Sequence, residues 1–291
     1  MKNKIISKCP VCDNSFIKKI RSYNGKTSFF SDKNNRILSC SNCGVAFIDP
    51  MPTKTQIDKY YKSYWGNKNS VQSSSIESLK VYKAEMYSRY EYLQKRIGNF
   101  KNKTILDFGA GHGLLREVLL EKEKDFNYYA VESDIKIVEQ LVSNGVKAVT
   151  KIEELQSIKF DVIVVFHVLE HLIDSKEFIK KLMNYLKKNG LFFIEIPNQD
   201  HLWKIIVEPH ILFYNKTSLE YLFKNISLND FDIISCGREL HNIPNERKTS
   251  KRIRRIIGKV LRYFGLLRKS KNDPNSAIDV MEYRKIYKMD S

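Results

Sequence analysis

Apolar positions along this chain follow two rhythms. Short, nearly continuous apolar runs recur at Thr104–Phe108 (TILDF), Tyr128–Val131 (YYAV), Phe160–Phe166 (FDVIVVF) and Leu191–Ile194 (LFFI), and each predicts a buried strand. After the first run, LLREVLLEKEK has the three-and-four spacing of an amphipathic helix. This alternation predicts an α/β fold, a doubly wound Rossmann-like sheet. Upstream, Leu79, Tyr82, Met86, Tyr90 and Leu93 share one face of a predicted helix over 75–97. Nearer the N-terminus, SFIKKIRS and NRILSC have the alternation of hairpin strands. Phe231-Asp-Ile-Ile-Ser-Cys236 and the stretch from Glu282 to Lys288 read as an antiparallel finish to the sheet, the second as its last edge strand.

These rhythms divide the chain into a small ribbon (1–49), a helical connector (50–100), an α/β domain (101–240) and a tail (241–291). With 291 residues, 42% of them hydrophobic, the chain has enough apolar material for a packed core, which excludes global disorder. The formal net charge is +17, but it is unevenly spread: Arg247 to Lys271 holds eleven basic residues and no acidic one. Ile253, Ile256, Ile257, Val260, Leu261, Phe264 and Leu267 recur there at helical spacing, so 250–269 reads as a basic amphipathic helix. Such a helix suits an anionic membrane surface first, docking on the parent domain second and nucleic acid third. The opening MKNKIISKCPVCDN lacks the apolar run of a secretory signal, which leads to the expectation of a cytoplasmic protein, peripheral at the inner membrane face where the basic helix engages lipid.

Four of the five cysteines form two C-x-x-C pairs, Cys9/Cys12 and Cys40/Cys43. Each pair presents two thiolates from one turn, and two turns complete a tetrahedral site suited to zinc. Asp13 and Gly44 follow the pairs, as residues tolerant of positive φ should. With all four positions filled, the predicted zinc is structural; a redox dithiol and an iron–sulfur cluster are the other readings. Cys236 stands alone and reads as core.

The first predicted strand runs into Gly109-Ala-Gly111-His-Gly113, a turn that lets backbone approach a ligand and opens a helix N-terminus. Asp107 beside it would repel a pyrophosphate but meet an amino group. Glu132, ending the next strand about 20 residues on, is placed for ribose hydroxyls. A nucleoside carrying a cation and an ammonium fits better than a dinucleotide. In open α/β sheets ligands lie beyond the carboxyl ends of the strands, where His167, Glu170 and His171 follow FDVIVVF. Asn198 to His201 and Glu208 to His210 bring further polar groups to that edge, and His171 and His210 are the first choices for a base or a substrate-orienting group. Tyr60, Tyr61 and Tyr64 offer an aromatic lid, or plain core.

In the series ILDFGAGHG, YAVESD, FDVIVVFHVLEHL and LKKNGLFFIEIPN, from Thr104 to about Ile234, the sequence resembles the class I S-adenosylmethionine-dependent methyltransferases. The resemblance implies that Asp107, Gly109 and Gly111 line the methionine portion of S-adenosylmethionine, that Glu132 holds the ribose, and that Phe166 and His167 close the site. His167-x-x-Glu170-His171 with His210 is also similar to the Glu-x-x-Glu-His plus His pattern of metal-dependent small-RNA 2′-O-methyltransferases, and ubiquinone-pathway O-methyltransferases have a similar run. That likeness implies Mg2+ or another divalent metal, although His167 stands where the pattern has a carboxylate. With its Cys-Pro-x-Cys and Cys-x-x-Cys-Gly pairs and Pro209-His210-x-x-Phe213, the chain most resembles zinc-ribbon methyltransferases of bacterial sugar and surface-polysaccharide pathways. Deoxysugar C-methyltransferases of that group carry a further domain that 291 residues do not accommodate, so the expectation is O-methylation of a nucleotide- or lipid-linked sugar. A metal-assisted RNA or small-aromatic O-methyltransferase is the alternative, and a catalytically silent binding module the second.

Overall fold

The computed structural model describes residues 7–23, 35–62, 76–202, 207–236 and 278–284. The basic segment 250–269, Tyr64 and Lys285 to Lys288 lie outside the described residues.

Two sheets build the molecule. In the smaller, β1 (Ile17–Tyr23) and β2 (Asn35–Cys40) form the expected hairpin, and β3 (Ala46–Asp49) adds a third antiparallel strand. Helix α1 (Lys54–Tyr61) follows; Thr53 caps it, accepting from the Gln56 amide while the Gln56 side chain accepts from the Thr53 amide. Helix α2 (Ile76–Ile97) then leads to the larger sheet.

There, β4 (Thr104–Phe108), α3 (Leu114–Lys122), β5 (Asn127–Val131), α4 (Ile135–Ser143), β6 (Lys147–Val149), β7 (Phe160–Phe166), α5 (Ser175–Met183) and β8 (Leu186–Pro197) alternate as predicted. After β9 (Leu212–Phe213) and α6 (Lys216–Lys224) come β10 (Phe231–Cys236) and β11 (Ile278–Arg284). The order is β10-β11-β8-β7-β4-β5-β6, with β8 to β6 mutually parallel and the last two strands antiparallel. The chain winds outward in both directions from β4, which leaves a crevice beyond the carboxyl ends of β4 and β7.

One strand is placed differently from expectation. β11 is not the edge: Met281 pairs with Ile233 on one side and Ile194 on the other, so β11 is inserted between β8 and β10, and β10 forms the edge. A strand with ladder partners on both sides satisfies both rows of its backbone groups.

Alternation along the central strands buries both faces. Ile105, Val162 and Val164 join Tyr90, Leu93, Leu115 and Val118 on one face. Leu106, Ile163 and Val165 face the other, in a cluster that runs without a break into Val11, Phe47 and Ile48 of the ribbon. The ribbon therefore shares the core of the large sheet, and its fourth strand, β9, comes from far downstream in sequence. Among the described residues, no helix is long and apolar enough to cross a membrane.

Candidate active site

The crevice has two sides, one at the glycine turn, where the sequence leads one to expect the nucleoside, and one at the histidines, where it leads one to expect the reaction. On the nucleoside side, β4 ends in the glycine turn, where Gly109, Gly111 and Gly113 all take positive φ. A Cβ on Gly109 would lie 2.5 Å from Val168 Cγ2, so the turn passes against the chain leaving β7. Glu132, at the tip of β5, accepts from the Gly111 amide at 2.9 Å and from the Ser133 amide at 2.7 Å. Its carboxylate thus ties the glycine turn to the next strand. Asp107 is buried and accepts from the Tyr128 hydroxyl. Burial pushes Asp107 up to about 7, against the lowering pull of Tyr128 and Arg89. An anionic carboxylate there lacks a full counter-charge, which an incoming ammonium would supply.

On the reacting side, Val168 leads into a short 3₁₀ turn, Leu169–His171, that brings Glu170 and His171 toward one point. His167, itself at positive φ, places Nδ1 3.4 Å from Glu170 Oε1 and Nε2 3.2 Å from Glu195 Oε1. Burial opposes its charge, yet the bonds donated to Glu170 and Glu195 prevail and push its pKa up to about 9. Glu195 also receives the guanidinium of Arg89 from α2, through Nε at 2.9 Å and through Nη2, and that guanidinium stacks 4.7 Å from the Phe166 ring. The result is a row of alternating charge, Arg89, Glu195, His167 and Glu170, buried except at the partly exposed His167 ring. Phe166, expected at the cofactor, packs with Phe193 beneath Arg89.

Glu170 is buried, and burial alone would raise it, but the surrounding imidazoles hold it below the ordinary carboxylate range. His171 Nε2 lies 3.8 Å and His210 Nε2 3.9 Å from Glu170 Oε1. The far nitrogen of each ring is occupied: His171 Nδ1 lies 3.3 Å from Pro209 O, and His210 Nδ1 lies 2.6 Å from Asp200 Oδ2. A carbonyl only accepts, so His171 carries its proton on Nδ1 and turns the lone pair of Nε2 toward Glu170. By its charge, the Asp200 carboxylate beside His210 Nδ1 favours the proton on that nitrogen. Three acceptors thus converge within 4.8 Å, with no hydrogen-bond donor on either Glu170 oxygen from His171 or His210. Such a donor set fits a cation. Tyr61 lies edge-on to His171 at 5.5 Å, and Tyr60 packs against Tyr61, which puts two of the three expected lid tyrosines at the reacting end.

In the ribbon, Cys9 and Cys43 Sγ are 3.6 Å apart, Cys12 and Cys40 Sγ are 3.5 Å apart, and all four lie within 4.8 Å of one another. Four thiolates about 2.3 Å from a tetrahedral ion stand about 3.8 Å apart, so the cluster is compatible with zinc.

Arg89, Glu195 and Tyr128 are the site residues that sequence reasoning missed. Glu195 carried a signal, a single carboxylate inside the apolar run LFFIEI; Arg89 and Tyr128 carried none, since charged helix residues and strand tyrosines are ordinary.

Against known proteins, residues 82–233 match the family model described as "Methyltransferase domain". The chain is 30% identical over 176 residues to a ubiquinone biosynthesis O-methyltransferase of Rickettsia prowazekii, covering 55% of this chain and 66% of that protein. It is 33% identical over 139 residues to the protein of that name in Rickettsia felis, covering 43% and 56%. The chain thus spans less than two thirds of the length of these curated relatives. Among solved structures, the complex between the Haloferax volcanii Trm112 methyltransferase activator and the putative methyltransferase aligns over 74% of this chain and 97% of that one. Its TM-score of 0.50 at 10% identity bears on the fold alone.

Proposed function

Because the chain belongs to the methyltransferase domain family, we propose that it transfers the methyl group of S-adenosylmethionine to a hydroxyl oxygen of a small-molecule acceptor. The glycine turn supplies close backbone approach, Asp107 meets the ammonium and Glu132 accepts from the ribose hydroxyls. The observation that carries the O-methylation reading is the convergence of Glu170, His171 and His210 across the crevice from that turn. An attacking hydroxyl must lose its proton as the new carbon–oxygen bond forms, and imidazoles held at hydrogen-bonding reach are suited to take it. Glu170, His171 and His210 would also hold a divalent cation, which would polarise the acceptor hydroxyl and ease that loss. Tyr60 and Tyr61 shield this end from water.

A metal-assisted hydroxylated aromatic is the acceptor favoured by the donor set, and the names of the Rickettsia relatives agree with it. A nucleotide- or lipid-linked sugar is the second reading, supported by the ribbon and by Pro209-His210 at the site. The four cysteines hold a structural zinc in either case.

The test is transfer of methyl-labelled S-adenosylmethionine to three panels: catechols and other phenols, nucleotide sugars, and short RNAs. Each is run with a divalent ion supplied and withheld. Metal-dependent transfer to a phenol is expected, falling about 100-fold in Glu170→Gln with S-adenosylhomocysteine affinity intact. Transfer to a sugar that ignores the ion would favour the second reading. Failure of the folded chain to bind S-adenosylhomocysteine would overturn both.

A further inference from the structure

The segment that carries His210 has an unusual support. It is bonded on one side to the turn that holds Glu170: the Ile211 amide donates to Glu170 O at 2.9 Å, and Pro209 O faces His171 Nδ1. On its other side it is bonded to the ribbon. The Ile48 amide donates to Ile211 O at 3.1 Å, and β9 then pairs with β3, Phe47 opposite Leu212 and Ala46 opposite Phe213. β3 is the sole strand partner of β9 among the described residues. A two-residue strand has few ladder bonds of its own, so the segment bearing His210 is held between two supports, β3 on the ribbon side and the Glu170 turn on the other.

The place of β3 is set in turn by the cysteine knuckle. Cys40 ends β2, its amide donates to Val45 O, and the Gly44 amide donates to Cys40 O, so the turn bearing Cys40 and Cys43 fixes how β2 passes into β3. Both knuckles are clamped to the large domain by asparagine amides, Asn225 Nδ2 to Val11 O at 3.1 Å and Asn215 Nδ2 to Gly44 O at 3.2 Å. The ribbon also reaches the loop bearing Asp200, through Arg21 Nη2 to His201 O at 3.2 Å. None of these contacts touches the glycine turn, Asp107 or Glu132, whose partners beyond one another include Tyr128, Ser133, Asp134 and the β5 and β6 backbone.

We propose that the four-cysteine centre is a positioning element for the reacting half of the crevice: through β3 and β9, its metal holds His210, and with it the Glu170 and His171 constellation, in register. The inference rests on the zinc and acceptor-site readings above. Loss of the ribbon's ion to a chelator would leave the nucleoside half able to bind while the reacting half loses its geometry.

The experiment uses the zinc-loaded full chain, Cys12→Ser to empty the ribbon, and Phe47→Leu to loosen the β3–β9 contact with all four thiolates kept. Three quantities are read: amide exchange over 207–214 against 104–113, S-adenosylhomocysteine affinity by calorimetry, and Mn2+ affinity by electron paramagnetic resonance. Supporters of the coupling are exchange over 207–214 that speeds at least about tenfold in both variants, with Mn2+ binding weakened about 10- to 100-fold and S-adenosylhomocysteine affinity within about twofold. Unchanged exchange over 207–214 once zinc is gone overturns it. Equal loss in both halves in both variants also overturns it, since the ribbon then stabilises the whole fold without favouring one side. A wild type that binds no Mn2+ refutes the acceptor-site metal separately, and the exchange pattern still decides the coupling.

Discussion

The two halves of the crevice are built on different principles. The nucleoside half is local: Asp107, Gly109, Gly111, Tyr128 and Glu132 come from one strand–turn–helix–strand unit, and a carboxylate on one strand tip binds the turn on the other. The reacting half is assembled from Tyr61, Arg89, His167 to His171, Glu195, Asp200 and His210, drawn from six stretches of chain, of which the one bearing His210 is bonded through its backbone to the ribbon. A local site is carried by the unit that forms it. A dispersed site depends on every element that brings its members together, and the same fold can thus keep one cofactor while the acceptor end varies.

The largest effect should come from joining the halves by force. Gly109→Ala adds a Cβ at positive φ and 2.5 Å from Val168 Cγ2. Strain and overlap together cost about 2–4 kcal/mol, so S-adenosylhomocysteine affinity should fall about 100-fold. Adding Val168→Ala removes the overlap and leaves the strain, so the pair should recover part of the loss in a double-mutant cycle. Strict additivity would mean that the turn does not rest on Val168.

A smaller effect separates the halves by pH. Asp107 has its pKa raised by burial to about 7, so below that value it must lose a proton to receive an ammonium. S-adenosylhomocysteine affinity should therefore drop about tenfold per pH unit below 7, and binding should release a proton, measured by calorimetry in buffers of different ionisation enthalpy. Asp107→Asn should flatten the profile. For the free protein the sign is opposite. The folded pKa lies above the ordinary 3.8, so the folded chain binds more protons, and the stability from Asp107 is full below about 4 and lost as pH rises through about 7.

The smallest effect belongs to the lid. Tyr61→Leu removes the ring that lies edge-on to His171. An aromatic pair is worth about 0.5–1.5 kcal/mol, so KM for the acceptor should rise about two- to tenfold while cofactor affinity stays put. A change confined to cofactor affinity would place Tyr61 in the other half.

Much of the nucleoside half was legible because its members are neighbours. The apolar run before Gly109, the glycine spacing and Glu132 about 20 residues on all lie within one folding unit, and the structure places them together. The ribbon cysteines were legible for the same reason, each pair being a single turn. Less could be read of the reacting half. His167, Glu170, His171 and His210 were singled out, and three of them converge, but His167 turned out to bridge Glu170 and Glu195 instead of joining the converging set. Arg89 and Glu195 lie 106 positions apart, and no local rhythm announces their pairing.

By itself the sequence determined the α/β alternation, the glycine turn with its flanking carboxylates and the four-cysteine cluster, because each is written in spacings of a few residues that backbone geometry converts directly into shape. Only the tertiary structure decided that β11 lies inside the sheet, that the ribbon borrows its fourth strand from the segment bearing His210, and that a row of alternating charge joins α2 to the reacting end. Those outcomes depend on which distant backbone groups satisfy one another and which buried charges find partners, and that is settled by packing in three dimensions.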